Sequence, residues 1–497
     1  MIRTHSSKCF ARCSIVITLT LLATLAPLAS AQDWPEIFDP LELRTLHLQI
    51  DPSDWIAIQH DETLSLEFPA ALALEDEWPP MIVAVRRKSG DPLTESNDFI
   101  KVSLKIDVNE IYDGQTWHGL KKLSLENGDD QDVVSEGFAW QLHSMAAGPA
   151  GYGYHPGYGS WVKLFINGIY TGVYVHAEQR DKQFLRNRDL YNAGETWLYK
   201  MGDIGSEELK VGTGDSPTFG ELCYPPFQRG GDACAPLSSE ELATELPNWI
   251  DMQGMIALGA VNTYSANPDE LFNHGKNCYF ADFLTDKKRM YFPWDLDSSR
   301  SGGHDEIIPE GSPYADILMA VPEYYDQYVR TINDLLNGPL SLQNQLQFLN
   351  QLEPVLTDAL ENDPNSKIEE SVASHFDGIR NWVLGRFEDF APILDEPSGA
   401  EDPAYGIALN QNFPNPFNPS TEISFSLKEA GSVALVIYDI SGRQVRQLAQ
   451  GNHFSGGVHR IEWDGRAQDG HNAPSGIYTY SLTYDGQTQS RKMILLK

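Results

Sequence analysis

Apolar and polar residues alternate along much of the first half of the chain. Leu46 to Ile50 reads apolar, polar, apolar, the period of two that marks a half-buried β-strand. Asn167-Gly168 is a strong signal for a tight hairpin turn, and a further strand follows it from Tyr170 to His176. One helix is predicted within this region, from Ser135 to Met145. The same strand pattern recurs in Met81 to Val85, Val102 to Val108 and Trp161 to Ile166.

The pattern becomes helical after Leu237. Ser238 and Glu241 have the spacing of a capping box, in which each side chain covers a free backbone N–H of the first helical turn. Apolar residues then recur at helical spacing. A β-rich front half and a helical back half predict an α+β domain whose two lobes enclose a cleft. The apolar stripes are Ile250, Ile256, Leu258 and Val261; Leu342, Leu346, Leu349 and Leu356; and Phe376, Ile379, Val383 and Phe387.

The composition changes near the end of this domain. Residues 395–404 are rich in Pro, Gly, Ser and acid without periodicity, as in a linker. Residues 405–497 contain short strands with a turn signal about every ten residues, which is typical of a small β-sandwich. The sequence therefore predicts one large domain over residues 32–394 and a second, smaller domain behind it.

The N-terminus has the features of a signal peptide over residues 1–31. Basic residues precede an apolar run from Ile15 to about Leu28, and Ala29-Ser30-Ala31 supplies the small residues of a cleavage site. The run is short for a membrane span, which needs about 20 residues. We expect an exported protein whose mature chain has no transmembrane segment.

Cysteine use agrees with export. Cys223 and Cys234 flank a segment rich in Pro and Gly, and a disulfide that closes this loop is expected in an oxidising compartment. Cys278 is then expected to be a buried free thiol.

The chain carries 70 Asp and Glu against 36 Lys and Arg, a net charge of −34. Such a field repels phosphate backbones, which argues against nucleic acid as a partner. Two explanations of the charge stay open, namely solubility and the binding of divalent cations by clustered carboxylates.

Several segments of the C-terminal domain share one resemblance. The domain resembles the FlgD-like immunoglobulin-type domain that serves as a type IX secretion sorting tag. The resemblance implies recognition by the type IX secretion machinery and a final location outside the cell or on its surface; an ordinary structural domain is the alternative. The segments are Asn412 to Thr421, Val436 to Arg443, Trp463 to Arg466, Ser475 to Tyr478, and Lys492-Met493.

A second resemblance covers about Leu43 to Phe390. Its clearest part, from Asn262 to Gly302, reads Asn-x-Asp, then Lys-Asn before an aromatic pair, and then Trp-Asp-Leu-Asp. Gly119 to Leu125 and Ile166 to Tyr174, with Glu178 shortly after, match in the same order. These segments resemble the spore-coat protein H (CotH) kinase family. The resemblance implies a bilobal, atypical protein-kinase-like fold that uses ATP and Mg²⁺.

Phosphoryl transfer depends on positioning and on neutralising the charge of the moving phosphate. On the resemblance, Asp269 is the expected catalytic carboxylate that orients the acceptor hydroxyl. Asn277 and either Asp295 or Asp297 are the expected magnesium ligands, since hard oxygen ligands suit this ion. Acidic residues at turns often only cap backbone N–H groups, and that alternative stays open for each aspartate.

The β-rich half should supply a lysine for the phosphates. Lys101 is the first choice and Lys105 the second, because residues four apart on a strand face the same side. Arg86 and Glu178 are further candidates for this nucleotide pocket, and so is Lys200. For Lys101, a solvated strand face is the alternative.

The sequence also departs from ordinary kinases. The gap from Asp269 to the following Asn is eight residues, Asp-Leu-Asp stands in place of Asp-Phe-Gly, and no Gly-x-Gly-x-x-Gly is present. The Gly- and Tyr-rich run from Gly148 to Gly159 lacks the end of a P-loop and is interpreted as a flexible loop. His274 and His304 lie near the motif, but their spacing does not favour a metal site.

The first hypothesis is a secreted kinase that transfers phosphate from ATP to Ser or Thr of an extracellular protein. The alternative is a surface binding or adhesion protein that keeps the fold without turnover. A calcium- or carbohydrate-binding surface protein is a third possibility, although the sequence has no EF-hand loop.

Overall fold

The structure is a computed structural model. The predicted signal peptide, the loop between Cys223 and Cys234, most of the predicted linker and His304 lie outside the residues that it describes. Cys278 is described and is buried, as predicted. The described residues are 34–75, 77, 79–88, 93–94, 100–129, 132–147, 154–216, 238–284, 288–301, 307, 309, 311–395, 407–409, 412, 417, 419–439 and 443–495.

A closed β-barrel occupies the first part of the chain. The strands that precede the second sheet are β1 Arg44–Ile50, β2 Phe68–Leu74, β3 Met81–Arg87, β4 Leu93–Thr94, β5 Ile100–Lys101, β6 Leu104–Asp107, β7 Lys122–Glu126, β8 Gly159–Ile166 and β9 Ile169–Glu178. The order around the barrel is β1-β2-β3-β6-β7-β9-β8, while β4 and β5 form a separate two-stranded ribbon. A parallel pairing of β1 with β8 closes the barrel, and the other neighbours are antiparallel.

The predicted hairpin joins β8 to β9. Asn167 and Gly168 have φ angles of 52° and 80°, the positive values that a tight hairpin turn requires at both central positions. The turn prediction is confirmed.

The barrel has an apolar interior and, on three neighbouring strands, a polar exterior. Leu104, Ile106, Leu123 and Leu125 are completely buried in the interior cluster. On the alternate positions, Arg86 of β3 lies opposite Lys105 of β6, and Lys105 lies opposite Ser124 of β7. These three side chains share the outward face of the sheet because residues directly opposite each other point the same way.

A second sheet lies further along the chain. It is formed by β10 Thr196–Met201, β11 Glu207–Val211, β12 Cys278–Phe283 and β13 Met290–Pro293. The order is β11-β10-β12-β13 with antiparallel neighbours. All six residues of β12 are buried, as expected for a central strand covered on both faces.

Helices form the remaining layer of the large domain. The helices are α1 Pro52–Gln59, α2 Val133–Ala146, α3 Lys182–Arg186, α4 Ser239–Trp249, α5 Met252–Tyr264, α6 Pro313–Ala320, α7 Pro322–Leu336, α8 Leu342–Glu361 and α9 Val372–Asp395, and a short 3-10 turn covers Glu36–Phe38. The capping box of Ser238 and Glu241 begins α4 as predicted, and α2 contains the predicted helix. α5 is buried on all sides, which identifies it as the central helix of this layer.

The apolar residues of the large domain form two clusters, one inside the barrel and one shared by the helices and the second sheet. The prediction of mixed helix and strand is confirmed. The prediction of a kinase-like pair of lobes around a cleft stays a prediction. Within the described residues, no helix combines the length and the apolar character that a membrane span requires.

The C-terminal domain consists of β14 Ile407–Leu409, β15 Thr421–Leu427, β16 Gly431–Asp439, β17 Gln444–Phe454, β18 Gly457–Trp463, β19 Gly476–Tyr484 and β20 Gln487–Leu495. Its two sheets have the orders β14-β15-β18 and β17-β16-β19-β20. Trp463 is fully buried, and its ring contacts those of Phe417 and Tyr478. These two antiparallel sheets around one apolar core form the small β-sandwich that the sequence predicts.

Candidate active site

The register of the second sheet gathers the predicted metal ligands. Cys278, the first residue of β12, pairs with Pro293, the last residue of β13. Asn277 precedes this pair and Asp295 follows it by two residues, so both lie at the same end of the sheet. Both also have a left-handed backbone, with φ angles of 51° and 59°, a conformation that Asn and Asp adopt more readily than other non-glycine residues.

The loop before β12 holds Asp269 in a defined position. Asn267 Oδ1 accepts the backbone N–H of Asp269 at 2.9 Å, and Asn277 Nδ2 donates to the backbone carbonyl of Asp269 at 3.1 Å. The carboxylate of Asp269 is 37% exposed and is 2.7 Å from Lys276 Nζ and 3.4 Å from His274 Nδ1. The loop therefore ties Asp269 directly to Asn277 and leaves part of its carboxylate open to a ligand.

Glu270 holds the same loop through hydrogen bonds to its carboxyl and backbone carbonyl oxygens. Its Oε2 accepts Asn262 Nδ2 of α5 and the backbone N–H of Phe272, each at 2.8 Å. Its backbone carbonyl accepts the N–H groups of the three residues from 274 to 276. Burial raises the pKa of Glu270 to about 8, because the charged carboxylate is poorly solvated there.

Charge–charge interactions connect four carboxylates and one lysine near this end of the sheet. Lys88 Nζ donates to Glu126 Oε1 at 2.5 Å, and Ser124 Oγ donates to the same oxygen at 2.8 Å. Burial alone would lower the pKa of Lys88, but the charges of Glu126, Asp295 and Glu136 outweigh it and hold that pKa above its usual value. We call Lys88, Glu126, Glu136, Asp295 and Asp297 the acid cluster.

Negative charge exceeds positive charge in the acid cluster. Burial raises the pKa of Glu136 well above its usual range, and the charges of Glu126 and Asp297 raise it further. Burial lowers the pKa of Lys200 of β10, although the charge of Asp295 acts in the opposite direction. Four carboxylates with one or two lysines repel each other, and a bound cation would relieve this repulsion.

Arg300 connects the elements that carry these groups. Its backbone N–H donates to Ser265 O at 2.8 Å, at the start of the Asp269 loop. Its Nη1 donates at 2.6 Å to Ser135 Oγ, on the helix that also carries Glu136. The segment after Asp297 is thereby joined both to α2 and to the loop.

The structure separates the predicted lysine and glutamate candidates into two groups. Arg86 and Lys105 lie on the outward barrel face. Arg86 comes two residues before Lys88, and Lys105 lies opposite Ser124, which comes two residues before Glu126. Lys105 has a pKa lowered to about 8 by burial and by the nearby charges of Lys122 and Arg86. Arg86 and Lys105 are therefore neighbours of the acid cluster.

Lys101 and Glu178 lie in buried networks of their own. Lys101 Nζ donates to Val173 O at 2.7 Å and to Asp363 Oδ2 at 3.2 Å, and both charged side chains are 1% exposed. Glu178 binds both Nη atoms of Arg188, at 2.9 and 2.7 Å. The structure does not bring these two residues to the acid cluster, and the geometry favours Lys88 over Lys101 as the lysine beside Asp295.

Sequence reasoning missed Lys88, Glu126 and Glu136. A weak signal existed for each, because Lys88 ends a basic run after an apolar strand and Glu126 ends the alternating segment at Leu123 to Leu125. Glu136 lies in the first turn of α2, where an acidic residue is also expected simply to favour the helix dipole.

The donor atoms fit a magnesium–nucleotide complex. Carboxylate and amide oxygens are hard ligands, and Mg²⁺ is usually held by one or two carboxylates together with substrate phosphates. Among the described residues, no group of three or more His, Cys, Asp and Glu is arranged to hold a metal ion. Asn277, Asp295 and Asp297 would therefore hold the ion only together with the phosphates.

A cavity of about 490 Å³ opens beside the outward face of the barrel. Five of its lining residues are basic and one, Asp181, is acidic. Its walls come from the start of β7, from α3 and from β10 and β11. We call it the basic cavity, and its basic residues are Lys121, Lys122, Lys182, Arg186 and Lys210.

Comparison with known proteins gives two family matches. The model of the CotH kinase protein family matches residues 88–388, more than half of the chain, and that of the FlgD Ig-like domain matches residues 414–488. A search of curated proteins gave no significant match.

Similar solved structures share little sequence with this chain. The Helicobacter pylori proinflammatory kinase CtkA is 9% identical, with coverage of 62% of this chain and 94% of CtkA and a TM-score of 0.26. Latent PorU from Porphyromonas gingivalis is 24% identical over 18% of this chain and 9% of PorU, with a TM-score of 0.16. FlgD from Pseudomonas aeruginosa is 26% identical over 15% of this chain and 60% of FlgD, with a TM-score of 0.14.

The aligned part thus spans less than a tenth of PorU and under two thirds of FlgD. The two family matches carry the assignment. The chain belongs to the CotH kinase protein family and carries an FlgD Ig-like domain behind the family region.

Proposed function

We propose that the protein is an exported kinase that uses Mg²⁺ and ATP to phosphorylate Ser or Thr of an extracellular protein. The observation that carries this proposal is the acid cluster: Lys88 is hydrogen-bonded to Glu126 and interacts electrostatically with Glu136 and with Asp295, at the end of the sheet that also holds Asn277. Protein kinases use a lysine–glutamate ion pair and a metal-binding aspartate in this way.

Each residue has a distinct role in the proposed reaction. Lys88 binds the phosphates, with Glu126 and Glu136 holding its ammonium group in place. Asp295 and Asn277 hold the metal, and Asp297 is the alternative or additional ligand. Bound ATP would supply the phosphoryl group, and the metal would neutralise charge on it.

Asp269 acts on the acceptor. Its free carboxylate oxygen accepts the hydrogen bond of the acceptor hydroxyl, orients the oxygen toward the phosphorus, and takes up the proton as the new O–P bond forms and the bond to ADP breaks. Lys276 holds the other side of the carboxylate at 2.7 Å, which restricts its rotation.

The proposed location follows from the domain pair. A CotH domain with an FlgD Ig-like domain suggests an extracellular or surface protein, and the N-terminal sequence supports export by a signal peptide. We propose that the C-terminal domain is the sorting tag through which the type IX secretion machinery recognises the chain.

The test is transfer of labelled phosphate from ATP by the purified mature protein, to itself or to a generic acceptor. We expect Asp269→Asn and Asp295→Asn each to lower the rate by about a thousandfold. Glu245→Gln, an exposed change on α4, is the matched control and should keep full activity. Transfer by either active-site variant at the wild-type rate would remove the assignment.

A non-catalytic surface binding protein is the second candidate. The ion pair between Asp269 and Lys276 favours it, because it already engages one carboxylate oxygen of the proposed catalytic residue. Thermal unfolding with ATP and Mg²⁺ separates the two, since a ligand that binds only the folded state raises its stability. A midpoint that does not move would favour the binding protein.

A further inference from the structure

The basic cavity is lined mainly by positively charged residues, although the protein as a whole is strongly acidic. Its lining contributes five basic residues and one acidic residue, whereas the chain as a whole has a net charge of −34. Arg86 and Lys105 add two further cations beside it. Such a local reversal of sign attracts an anionic ligand and discriminates against a cationic one.

Two of the cations are held in place without a carboxylate partner among the described residues. Lys182 and Arg186 lie one turn apart on α3, and their charged groups lie 4.6 and 5.3 Å from the ring centre of Tyr191. A cation over an aromatic face keeps most of its charge available.

The other lining cations have polar or acidic partners. Lys121 Nζ donates to Asn109 Oδ1 at 3.2 Å. Lys122 Nζ lies 2.7 Å from Asp107 Oδ2, and Lys210 forms an ion pair with the exposed Glu208. Lys182 and Arg186 are therefore the cations that are most available to a ligand.

Strand β10 leads from the basic cavity toward the acid cluster. Thr196 of β10 lines the cavity, and Lys200 lies four residues further along the same strand, about 13 Å at the usual rise. The charges of both Asp295 and Lys210 act on Lys200. A ligand in the cavity would therefore extend toward the site at which the phosphoryl group is transferred.

We propose that the basic cavity binds an acidic peptide segment of the phosphoacceptor protein. An extended chain rises about 3.3 Å per residue, so about four residues of the peptide would span the part of β10 between Thr196 and Lys200. The nucleotide phosphates are not the expected occupant, because Lys88 and the metal ligands that they need lie at the acid cluster. That the peptide belongs to a phosphoacceptor protein rests on the proposed kinase function. The binding of an acidic peptide to the cavity does not depend on that function.

The experiment measures peptide binding to the mature protein without nucleotide or metal, by fluorescence anisotropy at low salt. The probe is a labelled peptide with a central serine flanked on both sides by glutamates, and its matched control has glutamine in place of each glutamate. The variant is Lys182→Glu with Arg186→Glu, which reverses two exposed charges. The matched variant is Lys428→Glu with Arg460→Glu in the C-terminal domain, which changes the net charge equally.

We expect the acidic peptide to bind at least about tenfold more tightly than the glutamine peptide. The α3 double variant should lose this preference, the matched variant should keep it, and added salt should weaken it. Equal affinity for both peptides, or an α3 variant that binds like wild type, would overturn the proposal.

A competition with Mg²⁺ and ATP identifies the occupant. The proposal requires that the nucleotide leaves the acidic peptide bound, whereas displacement would show that the cavity belongs to the nucleotide and would overturn the proposal. The readout of this experiment is binding. A protein that binds the acidic peptide but transfers no phosphate would therefore refute only the kinase assignment and would leave the peptide site in place.

Discussion

Lys101 and Lys88 of the large domain both lie next to carboxylates, and they differ in charge balance; Lys101 is buried, whereas the side chain of Lys88 is 14% exposed. Lys101 has one carboxylate, Asp363, together with the carbonyl of Val173, and burial lowers its pKa. Lys88 is close to several carboxylates, and these raise its pKa despite its partial burial. The balanced pair stabilises the fold, whereas the unbalanced cluster carries an excess of carboxylates that a bound cation would stabilise. Excess charge, rather than burial alone, distinguishes the candidate active site.

The Lys101 pair joins the barrel to the helices. Asp363, in the connection between α8 and α9, also accepts the backbone N–H of Val173 at 2.8 Å. Gly172 allows this approach, because a Cβ there would lie 2.4 Å from Asp363 Oδ1. We call Lys101, Gly172, Val173 and Asp363 the brace.

The largest effect is expected at the brace. Asp363→Asn should lower the free energy of unfolding by about 4 kcal/mol, because it leaves the ammonium group of Lys101 buried without its counter-charge. Chemical denaturation measures the change. Asp358→Asn, an exposed change on α8, is the control. A variant as stable as wild type would show that the brace does not differ energetically from a surface pair.

A change at Gly172 tests the brace by displacing Asp363 rather than by removing its charge. Gly172→Ala should destabilise by about 3 kcal/mol, because its φ angle is 129° and its added methyl group would displace Asp363. Gly168→Ala is the matched control: its φ is also positive, at 80°, but the space around it is open. Equal losses in the two variants would mean that only backbone strain matters.

Glu270 extends the comparison to a buried carboxyl whose hydrogen-bond partners are neutral groups. Its folded pKa of about 8 lies above the ordinary value of 4.5 for a glutamate, so between these values the folded state binds more protons than the unfolded state. Stability should therefore fall as pH rises through this window, by about 1.4 kcal/mol per pH unit from this group.

Denaturation at pH 5.5 and 7.5 checks this expectation. The loss of stability between these two values should be about 2.7 kcal/mol smaller in Glu270→Gln than in wild type, since glutamine does not titrate. An identical pH dependence in the two proteins would contradict the assignment of a raised pKa to Glu270.

The smallest change has the opposite sign. Glu136→Gln should raise the free energy of unfolding by about 1 kcal/mol, because it removes a carboxyl group whose ionisation is disfavoured by burial and by the neighbouring carboxylates, and it should also reduce phosphate transfer. Stabilisation with loss of function is typical of a site that is strained for a ligand. If this variant is destabilised as Asp363→Asn is expected to be, the two regions do not differ in the way we propose.

Local features were predictable from the sequence, whereas partners across the fold were not. The turn at Asn167-Gly168 and the capping box at Ser238 depend on neighbouring residues, and both are present. The choice of Lys101 used only strand spacing, which shows that two residues share a face but not what that face meets. Its partner Asp363 is 262 residues away.

The candidate site divides in the same way. Asn277 and Asp295 lie on either side of one hairpin, so a local motif was enough to bring them together. Lys88, Glu126 and Glu136 come from two barrel strands and a helix, and only the closed barrel places them beside Asp295. The resemblance supplied the residue types, but the register decided which lysine lies there.

The central claim is that the acid cluster binds a divalent cation together with a nucleotide. Mn²⁺ in place of Mg²⁺ allows a direct measurement, because electron paramagnetic resonance detects the loss of free Mn²⁺ on binding. The account predicts that wild-type protein with ATP binds Mn²⁺ beyond what ATP alone binds, and that Asp295→Asn with ATP does not. Equal Mn²⁺ binding by the two proteins would contradict it.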